Sequence, residues 1–359
     1  MELHKFEEIL SNKRIVVTGH TGFIGSWLSQ WLVNIGSDVH GFSLNPITNP
    51  SLFYLLNLDK KLNSFIGDIN DIIKFKNFIK EIKPDLIIHL AAQPLVTESY
   101  LDPISTFATN TMGTANLLEV ARNCESVQAV LCITTDKVYQ NNEDDHAYDE
   151  SARLGGKDPY SASKSAAELI IESYKYSFKN PQKEILIASA RGGNIIGGGD
   201  WSADRLIPDI VRAITSNNTL QIRYPQSTRP WQHVLGLVFG YLLLSAQLLQ
   251  SKKQFASAWN FGPTDSKSYS VQEILNLAFA QWSKPNYEII EPSFPEAKLL
   301  RLDSNKARDR LDWIPPWDTK KTIEETFNWY KCFYDNKKSA EEITNSQIES
   351  WRSSINSNK

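Results

Sequence analysis

Three observations predict an α/β chain built on a doubly wound parallel sheet, with a smaller mixed α/β lobe beside it. Short Ile- and Val-rich runs alternate with helical patterns through the first half of the 359 residues. A turn with glycines spaced three and three joins the first run to the first helix. After Arg191 the texture changes to glycine-rich loops, helices and short strands. Strands separated by helical crossovers pair in parallel, because each crossover brings the chain back to the end of the sheet from which it left.

The elements follow in order. Residues 14–18 read as a buried strand, 22–35 as a helix, 38–44 as a second strand and 62–66 as a third. A helix over 71–82 leads to a strand at 85–90, and a helix over 105–123 leads to a strand at 127–134. Residues 160–178 give a further helix and 184–190 the strand after it. Beyond Arg191, helices are expected at 205–215, 233–249 and 271–282, with short strands at 220–223, 258–261 and 287–290. Residues 1–191 therefore read as the sheet domain, with later segments returning to it. Residues 192–337 form most of the second lobe, and 338–359 a polar tail with a loose helix and a frayed end.

Composition excludes several function classes. Hydrophobic residues make up 41% and charged residues 22% of the chain, a globular balance. The net charge of −3 gives no bias toward nucleic acid or an anionic membrane. The longest apolar stretch, 237–249, is too short to span a bilayer and reads as a buried helix. The N-terminus has no signal-peptide core. Cys124, Cys132 and Cys332 show no zinc or redox spacing, so neither a metal site nor a disulfide framework is expected, and the cytoplasm is the expected setting.

The glycine turn carries the first chemistry. Gly19 permits a tight turn, Gly22 lets backbone approach a pyrophosphate, and Gly25 lets helix and strand pack closely. The helix that follows offers unpaired N–H groups to phosphate. This makes the sheet Rossmann-type and the smaller lobe substrate-binding. At the end of the second strand, where an acid would hold the adenosine ribose and an arginine a 2′-phosphate, stand Ser43 and Asn45. Ser43 can bond the ribose, and the missing arginine favours NAD. Asp68 after the third strand can accept from the adenine amine.

The reacting groups lie further on. Tyr160 and Lys164, four apart on one helical face, can pair an ionisable phenol with an ammonium that eases its ionisation. The fifth strand ends in Thr135-Asp136-Lys137, at the edge where such a sheet holds its ligand. Alcohol oxidation needs only a hydroxyl, Tyr and Lys. An added acid and base imply proton removal and a leaving group.

These segments, with Ala91-Ala92-Gln93, Gly193-Asn194-Ile195-Ile196-Gly197, Asp204-Arg205-Leu206 and Arg229-Pro230-Trp231-Gln232, resemble the extended short-chain dehydrogenase/reductase family, and within it the nucleotide-sugar 4,6-dehydratases. The resemblance runs from Lys13 to about Tyr334. It implies an NAD-dependent hydro-lyase that makes a 4-keto-6-deoxy sugar for deoxysugar and surface-polysaccharide synthesis. It implies roles too: Thr135 hydrogen-bonds the sugar 4-hydroxyl, Tyr160 takes its proton, neutral Lys137 removes the C5 proton, and Asp136 protonates the departing 6-hydroxyl. Cofactor contacts are implied from Thr21, Phe23, Ile24, Ile69, Leu90, Ala91, Ala92 and Asn110, with Asn110 ordering the surroundings of Lys164. Substrate contacts are implied from Gln93, Asn194, Arg205, Leu206, Arg229, Trp231 and Lys298, with Arg229 on the diphosphate. A homodimer through the helices near 105–123 and 160–178 is also implied.

Lys137 stands where the dTDP-glucose and GDP-mannose branches carry Glu, which favours the CDP branch. That branch usually has Lys at position 24, a base near 97–98, Glu at 236 and His at 295, where this chain has Ile24, Thr97-Glu98, Gly236 and Pro295. A 4-epimerase or reductase needs Tyr160 and Lys164 without the Asp136–Lys137 pair. A dinucleotide-binding regulator needs neither.

Overall fold

The computed structural model describes residues 3–143, 146–178, 184–263, 268–291 and 299–357. Seven strands form one parallel sheet: β1 (Arg14–Thr18), β2 (Asp38–Ser43), β3 (Asn63–Ile66), β4 (Leu86–His89), β5 (Ala129–Ile133), β6 (Leu186–Gly192) and β7 (Ala258–Phe261). Their spatial order is β7-β6-β5-β4-β1-β2-β3. The register runs Ile15↔Leu86 between β1 and β4, and Ile15↔Val39 between β1 and β2. Order reverses at β1, so a crevice opens between β1 and β4 at their carboxyl ends. The segment 258–261, expected within the second lobe, is the sheet's edge strand, paired with β6.

Alternation along the strands feeds two cores. Ile15, Val17, Leu86, Ile88 and Leu131 pack on one face, and Val16, Ile87, Val130 and Cys132 on the other. The crossover helices are α1 (Phe23–Asn34), α2 (Ile72–Ile82), α3 (Gly113–Arg122) and α4 (Pro159–Ser177). Helix α5 (Leu206–Ser216) follows the glycine loop. The apolar stretch is helix α6 (Val234–Leu249), buried along its length up to Leu248 as its all-round hydrophobicity dictates. Among the described residues no helix is long and apolar enough to cross a membrane. None of the three cysteines is joined in a disulfide among the described residues.

Two expectations are corrected. The helix predicted over 105–123 is broken: Pro103–Phe107 is helical, Ala108–Met112 is a π turn, and α3 follows. The Thr114 hydroxyl donates to the Asn110 carbonyl at 2.7 Å, and the widened turn carries Asn110 into the interior. The polar tail is not loose. After α7 (Thr319–Tyr334), helix α8 (Ala340–Ser357) docks on the core through Ile343, Ile348 and Trp351. Trp351 stacks against His233 and meets Trp317 edge-on. Ala340 and Ile355 are buried with them, as are the polar Thr344 and Gln347, so the docked face is partly polar and composition hid it.

Candidate active site

The carboxyl ends of the strands open into a cleft of about 530 Å³. One wall is the glycine turn. Gly19 has φ +72°, and a Cβ there would lie 2.8 Å from the Ala91 nitrogen. A Cβ at Gly25 would overlap the Gly19 carbonyl. Both positions therefore require glycine, the first for backbone shape and the second for close packing. Gly22 is the N-cap of α1, no side chain caps that helix, and its first turn holds no acid. Phe23, Ile24 and Gly25 line the cleft, so the first-turn N–H groups stand ready for phosphate.

The nucleoside end fits NAD. Thr21 and Ser43 share a hydrogen bond of 2.9 Å, and the Thr21 hydroxyl also donates to the Leu44 carbonyl. No basic residue lines the cleft around 42–48, where a 2′-phosphate would need one. Asp68 and Ile69 line the same end, and the Asp68 carboxylate accepts from the Asn70 N–H at 2.9 Å. Leu90, Ala91 and Ala92 form the floor.

The reacting groups converge where β5 ends. Thr135 N-caps a single 3₁₀ turn, Asp136–Val138, and its hydroxyl donates to Asp136 Oδ1 at 3.0 Å. Helix α4 begins beside it, capped by Asp158, which accepts from the Ser161 N–H, and started by Pro159. The Ser165 hydroxyl ties α4 to the Val138 carbonyl at 2.8 Å, and Lys164 Nζ donates to the Ile133 carbonyl at 3.1 Å. Thr135, Asp136, Lys137, Tyr160 and Lys164 thus meet at one wall of the cleft.

Burial sets their electrostatics. It raises the Asp136 pKa, with the Lys137 and Arg229 charges and the Thr135 bond opposing, and so favours a protonated carboxyl. It lowers Lys164 to about 8, opposed by Cys132 and Glu168. Tyr160 departs from the sequence expectation. Burial pushes its phenol up to about 12, the Thr135 hydrogen bond opposes, and the Asp136 charge raises it further. The spacing to Lys164 is as expected, but desolvation dominates the phenol.

The second wall brings Asn194, Arg205, Leu206, Arg229 and Trp231 to the same cleft. Asn194 has φ +44°. Arg205 pairs with Asp200 at 3.1 Å. The Trp231 indole donates to the Tyr269 carbonyl at 3.2 Å and is 8% exposed, so it is mostly core. Gln93 and Asn110 stand behind the wall. The Gln93 amide is engaged by Leu95 and Thr106, while Asn110 Nδ2 donates to Ser163 Oγ at 2.9 Å and to the Gln93 carbonyl, beside Lys164. Lys298 and Pro295 lie outside the described residues.

Sequence reasoning missed Arg223, Asp204 and Gly193, all in the cleft. Arg223 donates to the Asp204 carbonyl at 3.2 Å, and Thr97 donates to Asp204 Oδ2 at 3.0 Å, joining the two walls. A base at the end of a short strand was the available signal for Arg223; nothing local marks Asp204. Ile24 and Thr97 line the cleft, whereas Gly236 lies away from it, facing Trp351.

The family model described as GDP-mannose 4,6 dehydratase matches residues 16–326. A CDP-glucose 4,6-dehydratase from Salmonella typhimurium is 44% identical over 327 residues, covering 89% of this chain and 91% of that protein. A UDP-glucose 4-epimerase from Lacticaseibacillus casei is 29% identical over 88% of this chain and 96% of its own. Among solved structures, a dTDP-glucose 4,6-dehydratase from Streptomyces venezuelae with NAD and TYD bound shares the fold, with a TM-score of 0.76 at 23% identity over 89% of this chain and 98% of that one.

Proposed function

This chain belongs to the GDP-mannose 4,6-dehydratase family, and from that premise we propose that it is an NAD-dependent CDP-glucose 4,6-dehydratase, converting CDP-glucose to CDP-4-keto-6-deoxyglucose and water. The observation that carries the reading is the meeting of two functional pairs at one cleft: Tyr160 with Lys164, and Asp136 with Lys137. An epimerase needs only the first. The CDP preference is supported by the 44% identical relative and by Lys137 itself.

NAD, held by the glycine turn with Ser43 and Asp68, would supply the hydride chemistry for oxidation at C4 and reduction at C6, with no net consumption. The chain's residues move the protons. Thr135 holds the 4-hydroxyl while Tyr160 takes its proton as a phenolate, the form that a Lys164 ammonium favours against the burial that pushes the phenol up to about 12. The resulting ketone acidifies C5–H, which Lys137 removes. Protonated Asp136 donates to the departing 6-hydroxyl, which leaves as water. Lys137 returns its proton to C5, and one proton passing from Tyr160 to Asp136 resets the site. A neutral Asp136 also removes a charge that opposes Tyr160 ionisation. Arg229, which lines the cleft and donates to the Thr228 carbonyl at 3.0 Å, is the proposed holder of the diphosphate, since a guanidinium can bind it with two N–H groups. The product class suits deoxysugar synthesis, and cysteines outside any disulfide suit a cytoplasmic setting.

The dimer is part of the proposal. Leu101, Ile104, Met112 and Leu169 of α4 are exposed apolar residues, Leu101 and Ile104 at 72% and 79%, on segments that pack against one another. These apolar residues do not face the sheet, so burial within one chain leaves them uncovered. Light scattering should give a dimer for the wild type and a monomer for Ile104→Asp.

The activity is tested by incubation with CDP-glucose, dTDP-glucose and GDP-mannose and identification of the products. The reading expects a 4-keto-6-deoxy sugar from CDP-glucose with no accumulating NADH. An unreduced C6 hydroxyl in every product contradicts it.

A further inference from the structure

Behind the catalytic wall lies a buried polar network that the reaction scheme does not use. Glu168 and Arg191, 0% and 3% exposed, form an ion pair at 2.7 Å. Glu168 Oε1 accepts from the Thr134 hydroxyl at 2.5 Å, and Oε2 accepts from the Ser189 hydroxyl at 2.8 Å. Arg191 donates to the Tyr139 hydroxyl at 2.8 Å and to the Glu150 carbonyl at 3.3 Å. The Tyr139 hydroxyl then donates to Asn260 Oδ1 on β7 at 2.7 Å. Neither charged residue lines the cleft.

The placement is specific. Thr134 immediately precedes Thr135 and Asp136, and Tyr139 closely follows Lys137, so the network grips the catalytic turn at both ends. Glu168 also lies one helical turn beyond Lys164 on α4, on the same face. We infer that Glu168 and Arg191 are positioning residues for the dehydration: they fix the turn that carries Thr135, Asp136 and Lys137, and Glu168 stands as the acidic neighbour of Lys164 one turn along α4. The inference rests on the activity proposed above.

Several features support it. Buried ion pairs are weak contributors to stability, and an apolar pair of equal volume often serves as well. Retention of charge here therefore fits a task that needs charge. The groups acting on Lys164 are Cys132 on β5, neutral His89 on β4 and Glu168 on its own helix, so Glu168 is its carboxylate partner among the described residues. Glu168 in turn faces Arg191 on β6 and Cys132. Removing the carboxylate leaves Arg191 and Lys164 as two cations in one dry interior, which disfavours the ammonium.

The test uses the full chain loaded with NAD and two variants. Glu168→Gln removes the charge and keeps the size. The double variant Glu168→Leu, Arg191→Met replaces the pair with apolar volume and stays interpretable if the single variant fails to fold. Two quantities are read: the Lys164 Nζ titration by ¹⁵N NMR, assigned with Lys164→Met, and the pH profile of kcat against KM. The inference expects the Lys164 midpoint and the alkaline limb of kcat both to move down by about one pH unit. It expects kcat to fall at least about tenfold while KM changes little. An unmoved lysine titration with an unshifted kcat profile in a folded variant overturns it and leaves the pair as fold support. The lysine titration needs no sugar nucleotide, so failure of the proposed activity is seen separately, in the wild type.

Discussion

The carboxylate of Asp136 is seated against the backbone of Gly193, so closely that a Cβ at position 193 would overlap it. The loop after β6 thus closes over the end of β5, and this contact helps to dry the acid. Burial then raises the carboxyl's pKa, which favours the protonated form that a leaving hydroxyl needs.

Gly193→Ala should push Asp136 out of place while leaving Tyr160 and Lys164 undisturbed. Overpacking costs about 1–3 kcal/mol, so the fold should survive. Dehydration should slow by about 10²-fold or more, as for a displaced acid–base group. Product formation under saturating CDP-glucose, with a melting curve alongside, checks it. Wild-type turnover would show that Asp136 tolerates the shift.

Asp136→Asn and Lys137→Ala should separate oxidation from elimination. Both leave Tyr160–Lys164 intact, so both should still oxidise C4. A single-turnover mixing experiment should show NADH that persists, with solvent deuterium entering C5 poorly in the Lys137 variant. Elimination at wild-type rates in both would remove the pair from the elimination step.

The pH dependence has a defined sign. Lys164 is a base whose folded pKa is lowered to about 8 from 10.5. Its ammonium is present below about 8 and lost as pH rises through that value. Between 8 and 10.5 the unfolded chain binds the extra proton, so this group's contribution to stability rises with pH. Turnover should therefore decline between pH 8 and 9.5 without loss of fold, which kcat and circular dichroism on the same samples will show. A plateau through pH 9.5 would free the reaction from the Lys164 charge.

Acid should act through three buried histidines. Burial lowers His20 to about 4, and His89 and His233 to about 3, from 6.5. Their folded values are depressed, so the stability each contributes is present above pH 6.5 and lost as pH falls toward 4. At pH 5 each costs about 2 kcal/mol. The urea midpoint should drop between pH 7.5 and 5.0; an unchanged midpoint contradicts the burial of neutral imidazoles.

Much of this was legible in the sequence, and the particulars show why. The period of apolar runs and the glycine turn are local signals, and β1 to β6 and α1 stand where those signals put them. Tyr160 and Lys164 share a helical face because four residues make one turn. Contacts across the cleft leave no local trace: Gly193 gives no sign in the chain of the carboxylate it receives, and Thr97 gives none of Asp204. Desolvation also needs three dimensions, which is why the Tyr160 phenol sits near 12 rather than close to neutral. The π turn at Asn110 depends on a side-chain bond that periodicity does not encode. The docked α8 rests on a few large residues within a polar stretch.

The most direct test of internal redox dehydration follows one atom. CDP-glucose carrying deuterium at C4 is converted in ordinary water, and the product is read by mass and by NMR at C4, C5 and C6. The proposed chemistry predicts that the C4 deuterium appears at C6 of a 4-keto-6-deoxy product, with a solvent proton at C5 and no NAD consumed. Deuterium retained at C4 of a sugar that keeps its 6-hydroxyl, or lost into NADH that accumulates, would contradict it.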